Sequence, residues 1–231
     1  VLPMIDAAEA EFRAVELGRA GRLHVAMECH HCFDWLLPVL DQFRRSWPEV
    51  DLDIRTSLAL KALPALVRGQ VDMVISSDPE DMDGVTFQPL FDYAPTMVAP
   101  ANHPLVAKGY AEPQDLAGEC LITYPMDRAR LDVFSQFLDP AGVEPVQHRQ
   151  VEQTAVALML IASGRGVAVM PDWVLRAHAG NPELAMLPLG RQGMLRRLYA
   201  ALRSDDLAQP YMAHVLRLAR TEPLRMMRAP G

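Results

Sequence analysis

The sequence contains few cysteines and no long apolar segment. Three cysteines, Cys29, Cys32 and Cys120, occur among 231 residues, a number that is too small and odd for a disulfide framework. The longest apolar run, residues 155–162, is far shorter than the roughly 20 residues needed to span a bilayer. No basic segment followed by an apolar one opens the chain. We therefore expect a cytoplasmic protein that neither crosses a membrane nor is exported.

The sequence also lacks the common catalytic motifs and an excess of positive charge. It has no G-x-S-x-G, H-E-x-x-H, P-loop or G-x-G-x-x-G motif, so hydrolase, zinc-peptidase and nucleotide-binding sites lack their local requirement. Its 29 acidic and 22 basic residues give a formal net charge of −7, and a polyphosphate would repel such a chain. We therefore expect no catalysis, no cofactor and no direct reading of DNA.

The apolar residues follow alternating strand and helix patterns. Residues 22–27 predict a strand, and Asp34 stands in the N-cap position of a helix that Pro48 ends. Residues 71–76 are apolar on both faces, as in a strand covered by helices on both sides of a parallel sheet. The other elements predicted in this first set are a strand at residues 50–56 and a short helix at residues 60–67.

A second set of the same kind follows the proline-interrupted residues 85–100. Two sets of alternating strands and helices predict two open α/β lobes whose strand ends face a shared cleft. The elements predicted in the second set and after it are strands at residues 121–124, 146–150, 167–170 and 195–202 and helices at residues 130–138, 154–162 and 211–218, with Pro223 and the following residues outside the last helix.

Five segments of the chain resemble LysR-type transcriptional regulators. Each segment alone is common, but their order and spacing together are specific, and the resemblance extends over essentially the whole chain. The segments are LP and AEAE within residues 2–11, GRLHVA at 21–26, LP at 37–38 with Phe43 and Pro48, LVRGQVDMVI at 66–75 and IASGRGVAVMP at 161–171. The first of them resembles the end of the family's linker helix.

This resemblance implies a periplasmic-binding-protein fold of type 2, with two α/β lobes and an effector cleft between them. It implies a homodimer or homotetramer that contacts RNA polymerase, and a helix-turn-helix domain, upstream of residue 1 and absent here, that alone contacts DNA. The implied domains are the end of the linker helix at residues 1–20, lobe I at residues 21–94 and 203–231, and lobe II at residues 95–202.

One segment resembles a particular group of regulators within this family. Residues 28–38, ECHHCFDWLLP, resemble the corresponding stretch of family members that control methionine biosynthesis. The implied small-molecule effector is homocysteine or a related amino acid.

The cluster Cys29-His30-His31-Cys32 allows several interpretations. A thioredoxin-like pair needs its first thiol at a helix N-terminus, whereas the negative charge of Asp34 would disfavour a nearby thiolate. A structural zinc site draws ligands from two separated pairs, and no second pair follows at a standard spacing. We prefer a loop that lines the effector cleft, where a helix N-terminus favours an amino-acid carboxylate. Solvated loop histidines are the alternative.

Polar residues at other strand ends are candidates for the same site. Ser76 and Ser77 end one predicted strand and Ser57 follows another, although an ordinary turn explains each equally well.

In lobe II, Tyr124 ends a strand beside Thr123, while Gln150, Glu152, Gln153 and Thr154 lie where a strand gives way to a helix. Glu152 is also explained as an acidic residue near a helix start, and the family resemblance favours Gln153 and Thr154. The effector sulfur is expected against Phe33, Phe91 or a methionine. The predicted effector-binding residues are His30, His31, Cys32, Phe33, Ser57, Ser76, Ser77, Phe91, Tyr124, Gln153 and Thr154.

Two other functions stay open on the sequence. A solute-binding receptor for transport has the same fold. The Cys-His cluster also fits a regulator that senses a metal or the redox state.

Overall fold

Ten strands form two five-stranded sheets in the part of the chain that the computed structural model describes, residues 20–28 and 32–228. The side chains of residues 58–60 and 224–228 lie outside this description. The chain divides into two compact units, one that ends at Phe91 and resumes at Arg197, and one that spans Asp92–Arg196. No helix within the described residues is long and apolar enough to cross a membrane.

The elements are named in chain order. The strands are β1 (Gly21–Met27), β2 (Val50–Ile54), β3 (Met73–Ser76), β4 (Val85–Tyr93), β5 (Pro95–Pro100), β6 (Cys120–Thr123), β7 (Gln147–Gln150), β8 (Val167–Pro171), β9 (Leu184–Pro188) and β10 (Arg196–Arg203). The α-helices are α1 (Phe33–Ser46), α2 (Ala62–Val67), α3 (Leu105–Lys108), α4 (Thr154–Ala162), α5 (Asp172–Arg176) and α6 (Pro210–Arg228). Short 3₁₀-helices cover Thr56–Lys61, Pro113–Leu116, Arg128–Arg130, Asp139–Ala141 and Ser204–Ala208, and a π-helix covers Val133–Leu138.

The sheet of the first unit has the strand order β2-β1-β3-β10-β4. Strand β1 is parallel to both β2 and β3, and β10 is antiparallel to β3. The central strands are enclosed: Leu23, Val25, Val74 and Ile75 are all fully buried. This burial explains why β3 is apolar on both faces of its sequence pattern.

The sheet of the second unit has the strand order β7-β6-β8-β5-β9. Strand β6 is parallel to β7 and β8, whereas β5 is antiparallel to β8 and β9. Gly166, with φ +145°, precedes β8, and a Cβ there would collide with the carbonyl of Cys120. Only glycine therefore lets β8 start this close to β6.

Helix α1 packs one apolar face into the first unit. Trp35, Leu36, Val39, Leu40 and Phe43 are buried and recur at the three- and four-residue spacing of a helix face. The opposite face is exposed and carries the charged residues Asp34, Arg44 and Arg45 together with Leu37. The burial of this one face accounts for the helix, since short helices in isolation are marginal in water.

Helix α1 begins before the residue predicted to cap it. Cys32 occupies the N-cap position, its backbone already helical at φ −67° and ψ −14°, and no side chain of the described residues caps the helix. The prediction of Asp34 as the N-cap is wrong, because Asp34 lies in the first turn. An acidic side chain stabilises the positive end of the helix dipole from there as well, so its presence marks the helix start only to within a few residues.

The helix predicted at residues 130–138 is present over Val133–Leu138, but it is a π-helix. A 3₁₀-helix ends at Arg130, Leu131 is extended at φ −94° and ψ 110°, and the π-helix follows. Val133 and Leu138 are both buried in the core of the second unit. They are five residues apart, which is the spacing that places side chains on one side of a helix with i→i+5 hydrogen bonds.

The last helix continues past the proline that was expected to end it. Helix α6 passes through Pro223, although a proline inside a helix removes one backbone hydrogen bond. Pro223 is itself buried, and Val215, Leu218 and Ala219 on the preceding turns are buried too. This apolar packing offsets the lost bond, so the prediction of a non-helical tail from Pro223 onward is wrong up to Arg228.

A buried carboxylate, Asp72, ties the first unit together. It lies in the turn before β3 with its side chain only 5% exposed. Arg22 of β1 donates two hydrogen bonds to it at 2.8 and 2.9 Å, the backbone N–H of His24 donates at 2.9 Å and Arg203 of β10 donates at 2.7 Å. Arg203 also donates to the backbone carbonyl of Leu66 in α2 and to that of Val71 just before β3. One side chain thereby joins β1, the turn and β10.

Replacing Asp72 with asparagine removes the charge that Arg22 and Arg203 share. We expect the free energy of unfolding, measured by urea denaturation, to fall by about 3 kcal/mol, the scale of breaking a buried ion pair. Asp41→Asn is the matched control, because Asp41 pairs with Arg44 and Arg45 at the surface, where ion pairs contribute little. Equal losses in the two variants would contradict the central role of Asp72.

The ionisation of Asp72 also links stability to pH. Burial opposes ionisation, but the hydrogen bonds from Arg22, His24 and Arg203 outweigh it and hold the pKa of Asp72 below its ordinary value of 3.8. A carboxyl whose pKa is lowered by folding stabilises the fold above its unfolded-state pKa, and this contribution is lost as pH falls through the folded-state pKa. We expect the stability difference between the wild type and Asp72→Asn to be constant above about pH 5 and to shrink below about pH 4. Urea denaturation between those conditions measures it, and a difference independent of pH would refute the linkage.

Candidate functional site

Parallel strands of the first unit end at one edge of its sheet. The backbone N–H of Glu28 donates to the carbonyl of Ile75 at 2.9 Å, so β1 and β3 stay joined one residue beyond the end of β1. Ligands of open α/β sheets bind outside the carboxyl ends of the strands. Ser76 and Ser77 lie at this edge, and Ser57 follows β2 there.

Ser76 is fully buried, and its hydroxyl is already engaged. It donates to Oε2 of Glu28 at 2.7 Å and accepts the backbone N–H of Asp78 at 3.1 Å. A serine hydroxyl has a single proton, and Glu28 receives it. Ser76 therefore holds a turn and a carboxylate in place, and it has no second proton to donate to a ligand.

The other two predicted serines are less enclosed. The Ser77 hydroxyl donates to Oδ2 of Asp78 at 3.1 Å in the same turn. Ser57 is exposed in the 3₁₀-helix that follows β2. The chain bends at residues 77–78, directly after the buried Ser76–Glu28 pair.

The start of α1 adds apolar and aromatic groups. Cys32 is completely buried and disulfide-bonded, whereas Cys120 is free. Phe33 is half-buried. The rings of Trp35 and Phe91 meet edge to face with centroids 5.1 Å apart, and the indole N–H of Trp35 is buried without an acceptor among the described residues.

Three members of the predicted Cys-His cluster cannot be placed in this arrangement. Cys29, His30 and His31 lie outside the described residues. Their roles in effector binding stay predictions. Within the described residues, no group of three His, Cys, Asp or Glu side chains is arranged to hold a metal ion.

In the second unit, the structure brings Tyr124 and Thr154 together. Tyr124 follows β6 and is 6% exposed, and its hydroxyl donates to Oγ1 of Thr154, the first residue of α4, at 3.2 Å. Gln153 is the N-cap residue of α4 and is exposed, as are Glu152 and Gln150. Two of the three residues predicted in this unit are therefore in contact, and the third is adjacent in the chain.

Thr123, beside Tyr124, is held by a histidine. Its hydroxyl lies 2.7 Å from Nε2 of His148, on the neighbouring strand β7. Burial and the positive charge of Arg128 lower the pKa of His148, so the neutral imidazole predominates near pH 7. The pair fixes the end of β6 from which Tyr124 projects.

Sequence reasoning missed two residues of this edge. Glu28 was quoted only as part of a resembling segment, although a charged residue directly after an apolar strand is unusual enough to be noticed. Trp35 also appeared only within that segment, and its sequence context carries no signal that its N–H lacks an acceptor among the described residues. Both are more than nine-tenths buried, at 7% and 3% exposure.

The fold and these strand ends define an effector-binding domain of a transcriptional regulator. A family model described as the LysR substrate binding domain matches residues 17–223, and the chain belongs to this family. Its relatives include the HTH-type transcriptional regulator MetR of Escherichia coli K12, with 38% identity over 95% of this chain and 68% of that protein.

Solved structures agree with this assignment. The regulatory domain of NMB2055 (MetR) from Neisseria meningitidis shares 34% identity and a TM-score of 0.84, covering 89% of this chain and 94% of that chain. A variant of that domain with two cysteines replaced by serine shares 33% identity and a TM-score of 0.83, covering 91% and 98%. The predicted family and two-lobed α/β fold class are confirmed, and so is the prediction of a regulator rather than an enzyme, because the relatives are named transcriptional regulators.

Proposed function

We propose that this domain senses homocysteine and thereby controls methionine-biosynthesis genes in the cytoplasm. The observation that carries the proposal is the 38% identity to a MetR regulator along 95% of the chain. A small effector shifts a regulator only through its different affinity for two states of the protein. In this proposal, that difference re-aims the helix-turn-helix domains of a homodimer or homotetramer on DNA.

The first unit offers suitable chemistry for an amino acid with a sulfur atom. The N-terminus of α1 presents backbone N–H groups and the positive end of the helix dipole, which favour a carboxylate. Trp35 adds a buried N–H without an acceptor among the described residues. The Trp35–Phe91 ring pair is a favourable neighbour for a thiol or thioether sulfur.

We propose effector-binding residues in each of the two units. In the first unit these are His30, His31, Cys32, Phe33 and Phe91, with Ser57, Ser76 and Ser77 at the strand ends. In the second unit Tyr124, Gln153 and Thr154 contribute. The Tyr124–Thr154 hydrogen bond supports this assignment because it keeps two polar groups at the start of α4.

Homocysteine is expected to raise the melting temperature of the domain selectively. A ligand that binds only the folded state stabilises it by about 2.7 kcal/mol at a concentration 100 times its dissociation constant, which corresponds to a rise of roughly 5–10 °C at this chain length. Methionine and cysteine serve as comparison ligands in the same thermal titration, with a chelator as a separate arm. No rise with homocysteine would contradict the proposal, and a large fall with the chelator would favour the metal-sensing alternative.

We also propose redox sensing as a second candidate function. Two observations favour it: Cys32 is disulfide-bonded at the start of α1, and a double cysteine-to-serine variant was made in the related NMB2055 domain. Breaking the bond takes two electrons and two protons from a dithiol reductant and gives two thiols. The freed thiols would change the packing at the first turn of α1.

Reduction by a dithiol is expected to shift the melting temperature of the wild type and to leave that of Cys32→Ser unchanged. We expect a shift in melting temperature when the effector-free wild type is treated with a dithiol, because reduction opens the disulfide bond at Cys32. Cys120→Ser, which removes the free thiol, is the matched control and should respond like the wild type. A wild type that is indifferent to reduction would rule out the redox function and leave homocysteine sensing untouched.

A further inference from the structure

The chain passes from the first unit to the second near the end of one strand and returns at the start of another. The first unit ends at Phe91, inside β4, and resumes at Arg197, inside β10. These two strands are neighbours in the sheet of the first unit. The last residue of β4, Tyr93, and the first residue of β10, Arg196, already belong to the second unit. We call residues 91–94 the first crossing and residues 196–198 the second crossing.

One carboxylate of the second unit, that of Asp132, holds both crossings. The hydroxyl of Tyr93 donates to its Oδ2 at 2.6 Å, and Nε of Arg196 donates to its Oδ1 at 2.9 Å. The side chains of Asp132 and Arg196 are 16% and 18% exposed, so the surrounding protein screens this contact from most of the solvent. Because the two donors use different oxygens, Asp132 accepts both bonds at once. Hydrogen bonds to a charged acceptor are stronger than those between neutral groups.

The backbone of Asp132 is fixed by the core of the second unit. Asp132 directly precedes the π-helix and is itself helical, at φ −50° and ψ −36°. Val133, Phe134 and Leu138 of that helix are buried in the core of the unit. The carboxylate therefore cannot follow a displaced crossing without disturbing this packing. Single π-helical turns are rare and are often found at functional sites.

The first crossing has additional attachments to the second unit. The rings of Tyr93 and Trp173 meet with centroids 4.8 Å apart. The N–H of Ala94 donates to Oδ1 of Asp172 at 3.3 Å, and the carbonyl of Ala94 accepts the backbone N–H of Asp172 at 3.0 Å. Asp132 differs from these contacts because it bonds the ends of both crossings.

We propose that Asp132 is a brace, which ties the two crossings to the second unit so that a movement of Asp132 is passed to both of them together. Coupling between distant parts of a protein is carried by contiguous contacts, and Tyr93, Asp132 and Arg196 form such a path through two hydrogen bonds. The brace goes beyond effector sensing, since it concerns how a change in the second unit is transmitted and does not depend on the identity of the effector.

The test is hydrogen–deuterium exchange of the 231-residue chain, followed by mass spectrometry of its peptides without any effector. Asp132→Ala removes both bonds. We expect the backbone amides of both crossings to exchange about 10- to 100-fold faster, the range for losing a hydrogen bond to a charged group. The amides of the buried strands β6 and β8 should exchange as in the wild type.

Asp139→Ala is the matched control for this variant. Asp139 lies at the other end of the same π-helix and pairs with Arg128 at the surface. Exposed ion pairs contribute little to stability. We therefore expect Asp139→Ala to leave the exchange of both crossings unchanged.

Two smaller substitutions each remove one arm of the brace. Tyr93→Phe deletes only a hydroxyl and keeps the ring against Trp173, so it tests the brace even if Asp132→Ala fails to fold. It should speed exchange several-fold at the first crossing alone, since the bond between Asp132 and Arg196 remains. Arg196→Gln should speed exchange at the second crossing alone. Acceleration of both crossings by either variant would show that the neighbouring strands, and not the carboxylate, connect the crossings.

The outcomes separate a brace from a residue that only stabilises the second unit. If Asp132→Ala accelerated exchange at one crossing or at neither, the brace would be overturned. Equal acceleration throughout the second unit would overturn it as well, because the loss would then be one of general stability. A failure of homocysteine to bind would leave the result standing, since the exchange is measured without an effector.

Discussion

The first unit depends on one buried charge, the carboxylate of Asp72. A buried carboxylate is costly unless it is paired and hydrogen-bonded, and Asp72 meets this condition with Arg22, Arg203 and the backbone N–H of His24. These donors come from β1 and β10, which are far apart in the sequence but flank β3 in the sheet. The ion pairs therefore hold the strand order in which the ends of β1 and β3 lie side by side.

The positions of the residues in the candidate site follow from this strand order. Once β1 and β3 are neighbours, Glu28 and Ser76 meet although they are 48 residues apart in the sequence. Helix α1 starts directly after β1, which places Cys32 and Trp35 near the same strand end along the chain.

Much of the fold could be predicted because apolar periodicity reflects local burial. The apolar face of α1 follows from residue spacing, and the doubly covered strand β3 and the helix over Thr154–Ala162 follow from continuous apolar runs. The predictions of secondary structure failed where tertiary packing overrides the local conformational preference of the residues. The π-helix at Val133–Leu138 and the passage of α6 through Pro223 are chosen by tertiary contacts, and short elements such as β9 and α5 have too few residues to show a period.

The sequence by itself determined the family, the alternation of strands and helices and most of the polar residues at strand ends, because these are encoded in contiguous segments. Tertiary structure alone decided which strands are neighbours, including the antiparallel β10 beside β3. It also decided that Ser76 gives its proton to Glu28 and that the Trp35 N–H has no acceptor within the described residues. Hydrogen-bond partners distant in the chain are set by strand order and burial, and no local pattern of residues records them.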